Sequence, residues 1–201
     1  MEEDAYLTIS DLGEGIYKEK GSKFFGFAFH VSDEDAVKEH LGELKKKYYD
    51  ARHYCYAFVI GRAGEFYRAG DDGEPANSAG APILGQIRSH ELSDVLVVVV
   101  RYFGGTKLGV PGLIHAYKTA AAEALAAAPK QTVFIKKSVV FQFEYPNLNE
   151  VMRWVKDHDL EIVEQDFQLS CKLTAKVRES KVDELLKQTE KVHTVTVSIE
   201  E

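Results

Sequence analysis

Between Arg101 and Gly112 the sequence RYFGGTKLGVPG sets two cations, Arg101 and Lys107, among four glycines, Gly104, Gly105, Gly109 and Gly112. Glycine lets a backbone approach a bound group closely, and the first N–H groups of a helix carry partial positive charge. A glycine-rich turn that is flanked by Arg and Lys and leads into a helix is therefore suited to receive an anion. The spacing is not that of a P-loop: Gly109 is followed by Val110 and Pro111 where that motif needs Lys and then Ser or Thr, so nucleotide hydrolysis does not follow. The same glycines also suit a plain strand-to-helix turn, with Pro111 in the first helical turn. What a turn alone does not require is the Arg and the Lys.

A second cluster, Asp71, Asp72 and Glu74 around Gly73, puts three carboxylates within four residues ahead of Pro75. Mg²⁺ or Ca²⁺ wants several oxygens on a turning backbone, but the remaining EF-hand positions are missing. Asp-Gly and Glu-Pro are turn formers in their own right, so a polar turn, a contact to a basic partner, or ion pairs to Arg68, Arg88 or Arg101 also fit. Arg52-His53-Tyr54-Cys55 offers a His and a Cys on one face of a strand, a possible nucleophile and base. Cys55 continues the apolar register of Ala57 and Val59, however, and reads as core with His53 at its edge. The seven histidines show no HxxxH or HExxH spacing, so zinc has no support.

The elements that position these residues follow from periodicity. Glu14 to Lys20 and Lys23 to Val31 read as a hairpin through Gly21-Ser22, and Ser32 to about Tyr48 as a helix capped by Ser32 with Ala36, Val37, Leu41 and Leu44 inward. Arg52 to Ile60 is a strand, Gly61 to Ala76 an irregular stretch, and Asn77 or Ser78 the start of a helix that tolerates Pro82 only early. Asp94 to Val100 is a buried strand, and an Ala-rich helix runs on to about Pro129. From Lys130 a second domain begins. Val139, Phe141 and Phe143 alternate inward; Leu148, Val151, Met152 and Val155 recur at helical spacing behind Asn147 as N-cap; Glu161 to Phe167 and Leu169 to Arg178 are strands; Val182, Leu185, Leu186 and Thr189 mark a helix; Val195, Val197 and Ile199 mark a last strand. That order, βαββαβ, is ferredoxin-like. Its outward residues, among them Gln142, Lys172, Thr174, Lys176 and Thr196, include no aromatic platform, so the base-stacking mode of an RNA-recognition motif is not expected there.

The net charge is −7, with 14 basic against 19 acidic residues up to Pro129 and 11 against 13 beyond it, so neither half binds nucleic acid through a general basic surplus. The start Met1-Glu2-Glu3-Asp4 lacks the basic-then-apolar order of a signal peptide, and no apolar run approaches a membrane span. A cytoplasmic protein is expected, in which Cys55 and Cys171 stay unpaired and buried.

DDGEPANSAGAPIL from Asp71, LVVVVRYFGGTKLG from Leu96 and PGLIHAYKTAA from Pro111 resemble the signature of the YigZ/IMPACT family, also called uncharacterised protein family 29. Arg101, Tyr102, Gly104, Gly105, Leu108 and Gly109 fall on its motif, as do Asp71, Gly73, Glu74 and Pro75. The resemblance covers Gly15 to about Ala128, and the second domain is similar to the small C-terminal domain of bacterial members. It implies an α+β protein with an N-terminal domain (residues 1–129) that is ribosomal protein S-five domain 2-like and a ferredoxin-like C-terminal domain (residues 130–201) resembling a module of elongation factor G. It also implies a link to translation, since eukaryotic relatives with a different extra domain compete for the scaffold that activates a starvation-responsive initiation-factor kinase. Some relatives are labelled proline dipeptidases, but no paired metal-ligand pattern supports that chemistry here.

The expected function is a cytosolic, non-catalytic binding protein linked to regulation of translation, meeting RNA, the ribosome or a translation-associated protein, with no cofactor and no membrane partner. Its expected contact residues are Arg52, Asp71, Asp72, Glu74, Arg101, Tyr102, Gly104, Gly105, Lys107 and Gly109, around a cleft that also suits a small anion or phosphate. The alternative is a phosphate- or nucleotide-handling enzyme, in which the Gly104 to Gly112 loop cradles phosphate and Asp71 or Asp72 binds Mg²⁺ or acts as base. That alternative draws on a fold shared with some small-molecule kinases, which is analogy only.

Overall fold

Alternation along one strand organises the molecule. In the computed structural model, which describes residues 4–168 and 170–200, Val95, Val97 and Val99 face one side of a sheet and Leu96, Val98 and Val100 the other, and none of the six retains exposed surface. A strand covered on both faces has no polar side to show, which is why it reads as a continuous apolar run.

The elements in order are β1 (Ala5–Ile9), β2 (Gly13–Glu19), β3 (Ser22–His30), α1 (Glu34–Lys47), β4 (His53–Ile60), β5 (Phe66–Gly70), α2 (Gly80–Ser89), β6 (Val95–Tyr102), α3 (Gly109–Ala127), β7 (Lys130–Phe134), β8 (Lys136–Glu144), α4 (Leu148–Asp157), β9 (Glu161–Phe167), β10 (Ser170–Arg178), α5 (Val182–Thr189) and β11 (Val195–Glu200). They form an α+β structure of two compact units, Tyr6–Val133 and the N-terminal end up to Ala5 together with Phe134 onward.

In the larger unit an antiparallel sheet of order β2-β3-β6-β4-β5 has β6 at its centre. Helices α2 and α3 cover the face of Val95, Val97 and Val99, and α1 covers the opposite face through Val37 and Leu44. The Ala-rich pattern of α3 has a steric counterpart in the sheet. A Cβ on Gly15 would lie 2.6 Å from the Ala124 backbone nitrogen, and Cβ atoms on Gly13 and Gly26 would overlap the carbonyl oxygens of Ala124 and Ala120. Small residues on both sides let helix and sheet backbones meet.

Several local expectations need correction. The cap of α1 is Asp33, whose Oδ1 accepts from the N–H groups of Asp35 and Ala36 at 3.0 and 2.8 Å, while Ser32 only bonds to Asp33. The stretch expected to be irregular contains β5, an edge strand with Phe66 and Tyr67 exposed, and β1, which has no periodic signature in the sequence, pairs with β7 as a two-stranded ribbon.

The smaller unit has strand order β11-β8-β10-β9, all antiparallel, which is the ferredoxin-like arrangement for βαββαβ. Phe141, Phe143, Trp154, Cys171, Leu173 and Leu185 form its core. Asn147 does not cap α4; its side-chain oxygen accepts from Thr194 Oγ1 at 3.1 Å. Thr174, expected outward and polar, is buried, and Leu169 lies outside the described residues. No helix among the described residues is long and apolar enough to cross a membrane.

Candidate functional site

The alternation that builds β6 also divides its two last residues. Arg101 continues the Val97 and Val99 face, between Phe24 on β3 and His53 on β4, while Tyr102 continues the Val98 and Val100 face. Arg101 is therefore delivered to the end of the core under α3, where a cavity of about 490 Å³ opens. Its walls are Arg52, His53, Glu74, Pro75, Arg101, Phe103, Lys107, Leu108, Gly109, Val110 and Leu113. Tyr102 points away from it and donates its hydroxyl to Asp50 Oδ1 at 2.6 Å.

Glu74 is the centre of the polar network. Its side chain is only 5% exposed and pairs with the guanidinium of Arg101, itself 6% exposed. The same Oε1 accepts the Tyr117 hydroxyl at 2.8 Å, and His53 Nε2 stands 3.9 Å away. His53 Nδ1 lies 2.8 Å from the Asp72 carbonyl oxygen, which can only accept, so Nδ1 carries a proton. The guanidinium of Arg101 also lies over the rings of Phe24 and Phe103, 5.3 and 5.6 Å from their centroids. Its Nε is buried and has no hydrogen-bond partner among the described residues.

Two of the three carboxylates in the acidic stretch shape the loop. Asp71 Oδ1 accepts from the N–H groups of Ala79 and Gly80 at 3.0 and 2.8 Å, and Oδ2 from Asn77 at 2.9 Å, so this side chain closes the turn and satisfies the start of α2. Asp72 Oδ2 accepts from the Tyr54 N–H at 2.7 Å. The oxygens that the enzymatic alternative assigned to Mg²⁺ or to base chemistry thus hold backbone amides, and neither residue lines the cavity. Among the described residues, no group of three or more His, Cys, Asp or Glu side chains is placed to share a metal ion.

Cys55 is fully buried and donates to the Asp71 carbonyl at 3.0 Å. Burial pushes its thiol well above the ordinary range, with the nearby carboxylates adding to the effect, which removes it as a nucleophile. Burial likewise raises the Tyr117 phenol, and this tyrosine remains a neutral donor to Glu74.

The glycines also separate by task. Gly104 gives its N–H to Ser22 Oγ at 3.1 Å, and a Cβ there would overlap the Gly21 backbone, so it locks the loop to the β2–β3 turn instead of cradling an anion. Gly105 and Gly109 have φ of 88° and 72°, the left-handed region that favours glycine. Helix α3 starts at Gly109 with neither a side-chain cap nor an acidic residue in its first turn, which leaves its first N–H groups uncompensated at the cavity rim beside Lys107.

Of the residues expected to act together, Arg52, Glu74, Arg101, Lys107 and Gly109 line one cavity. Asp71 and Asp72 support it from behind, Gly104 and Gly105 shape its loop, and Tyr102 stands on the other face. His53, Phe103 and Tyr117 were missed as site residues. Tyr117 carried the best signal, a phenol on the apolar face of an Ala-rich helix, which needs a buried partner.

Comparison with known proteins gives a consistent pattern. The model of the Impact N-terminal domain matches residues 20–125. The chain is 40% identical to IMPACT family member YvyE of Bacillus subtilis over 60% of its length and 56% of that protein. It is 32% identical to IMPACT family member YigZ of Escherichia coli over 82% of both. A crystal structure of a hypothetical protein superposes with a TM-score of 0.72 at 28% identity, covering 98% of this chain and 96% of that one.

Proposed function

From its place in the IMPACT family, to which this chain belongs, we propose that the protein is a non-catalytic binding protein in the regulation of translation, and that it meets its partner through the cavity between the 71–75 and 103–110 loops. Family membership supports the link to translation. The observation that supports the cavity is its charge arrangement: Arg52, Lys107 and the uncapped start of α3 surround an opening whose buried carboxylate, Glu74, is already matched by Arg101. The opening therefore presents a net positive surface on a chain of net charge −7, and an acidic or phosphate-bearing partner finds it the favourable point of approach. The side chains directed at it bind and orient; the nucleophile candidate, Cys55, is buried and protonated.

The test is co-sedimentation of the purified chain with ribosomes and translation-factor fractions. Arg52→Glu with Lys107→Glu reverses two exposed charges and should abolish co-sedimentation, whereas Lys172→Glu with Lys176→Glu on the smaller unit should leave it intact. Arg101 is unsuitable for charge reversal, because a carboxylate there would face Glu74 in a buried site. Loss in the second pair and retention in the first would refute the proposal.

A further inference from the structure

Phe103 stands just past the end of β6 with 45% of its surface exposed, and it lines two cavities at once. The first is the one described above. The second, of about 460 Å³, lies on the Tyr102 side of the sheet and is walled by Gly21, Lys23, Phe25, Tyr48, Asp50 and Tyr102. Its floor is aromatic: the Phe25 and Tyr48 rings stack with centroids 5.8 Å apart, and Tyr102 meets Phe25 edge-on at 6.0 Å. The carboxylate in each cavity is engaged, Asp50 by the Tyr102 hydroxyl and Glu74 by Arg101 and Tyr117. Arg52 and Lys107 at the first cavity and Lys23 at the second form no ion pair among the described residues.

We infer that a single-stranded nucleic-acid segment seats across Phe103, one base in each cavity, with its phosphates against Arg52, Lys107 and Lys23. The inference rests on the reading that this cavity is the contact surface, and it names the ligand chemistry. Each cavity has the volume of a small-ligand site. Aromatic walls accept the π-face of any base, and flanking cations track the backbone, the combination by which single strands are held without sequence preference. A duplex keeps its bases stacked inside and cannot fill two separate cavities. An acidic peptide matches the cations but not two aromatic-walled openings on either side of one ring.

The test is fluorescence anisotropy of a 5′-labelled oligouridylate with the full chain over a range of salt. Phe103→Ala should weaken binding about tenfold or more, as loss of one stacking platform does, while Phe103→Trp should retain it. Three neutralised phosphates predict that log affinity falls with log salt at a slope of about −2. The same sequence as a duplex, uridine monophosphate alone, and oligoglutamate should each bind at least tenfold more weakly. Unchanged affinity in Phe103→Ala, or oligoglutamate or the free nucleotide binding as well as the strand, overturns the inference. If Arg52→Glu with Lys107→Glu abolishes ribosome co-sedimentation while Phe103→Ala leaves oligouridylate affinity intact, the nucleic-acid inference falls and the contact surface stands. If co-sedimentation survives that charge reversal while strand binding depends on Phe103, the contact surface is the reading that falls.

Discussion

Glu74 concentrates the polar chemistry of the larger unit, because a single oxygen serves both Arg101 and Tyr117 in a nearly dry setting. Removing one partner of a buried ion pair leaves the other charged and unsolvated, at a cost of about 3–5 kcal/mol. Glu74→Ala should accordingly lower the urea midpoint of the larger unit far more than a surface Glu→Ala such as Glu39→Ala; equal effects would show that Arg101 finds water or another acceptor. Tyr102 allows a second check. Its hydrogen bond to Asp50, with burial second, pushes the phenol up to about 12 from 10.0. The fold therefore favours the neutral phenol, so this stabilisation is fully present below pH 10 and is lost as the pH rises through about 12. Absorbance titration should show late-ionising tyrosines, one of which disappears in Tyr102→Phe, and that variant should lose less stability than the wild type between pH 10 and 12. The sequence left the pair open, with three carboxylates weighed against Arg68, Arg88 and Arg101. It did not reveal that Tyr102 faces the other way, because motif adjacency hides the two-residue period that separates neighbours in a strand.

At the scale of elements, the strong periodicities were readable and the weak ones were not. The central strand, the hairpin before it, the three helices of the larger unit and the whole βαββαβ order carry long apolar patterns, and each stands within a few residues of its expected place. β5 and β1 are five residues each, with exposed or mixed faces, so nothing in their sequence separates them from loop, whereas Thr132, Val133 and Phe134 in β7 carry a β-rich composition without showing its partner. The glycines were the subtler case. In sequence, Gly104 looked like an anion cradle; in three dimensions its missing Cβ is room for the Gly21 backbone. Gly26 plays the same part against α3, where a Cβ would overlap the Ala120 carbonyl. Overpacking of this kind costs about 1–3 kcal/mol. Gly26→Ala and Gly104→Ala should both be destabilising in thermal melts, whereas Gly42→Ala, where a Cβ meets nothing within 4 Å, should be neutral or better. A stable Gly104→Ala protein with altered ligand binding would instead return that residue to the binding surface. Asp71→Ala belongs to the same scale: it strands three amides at the start of α2, so amide exchange should accelerate there before it does in β6.

The whole molecule turns on a short N-terminal contribution that composition does not disclose. Asp4 is buried, and its carboxylate accepts from the Arg178 guanidinium at 2.7 and 3.2 Å and from the Ser180 N–H at 3.1 Å, while its carbonyl accepts from the Ile135 N–H at 2.7 Å. The hydrogen bond from Arg178 is the largest influence holding the Asp4 carboxyl well below the usual carboxylate range. A depressed folded-state pKa means stability that is present above the unfolded value of 3.8 and lost as the pH falls below it toward the folded one. The chain end thus acts as a clasp on the smaller unit, although in sequence it precedes the larger one. Since each unit encloses its own apolar core, we expect two unfolding transitions, and Asp4→Asn should lower the one belonging to the smaller unit while leaving the other in place. Below pH 4 the wild-type difference from Asp4→Asn should shrink, because the unfolded chain then takes up a proton on Asp4 while the folded chain keeps it ionised. A fragment of residues 134–201 should melt below the same unit in the full chain, and a fragment of residues 6–133 should keep its own transition. The decisive measurement is amide exchange resolved by residue on the full-length Asp4→Asn protein. Faster exchange in β8 and β10 with unchanged protection in β6 is the expected pattern, and a uniform change across both sheets would show that the molecule unfolds as one body.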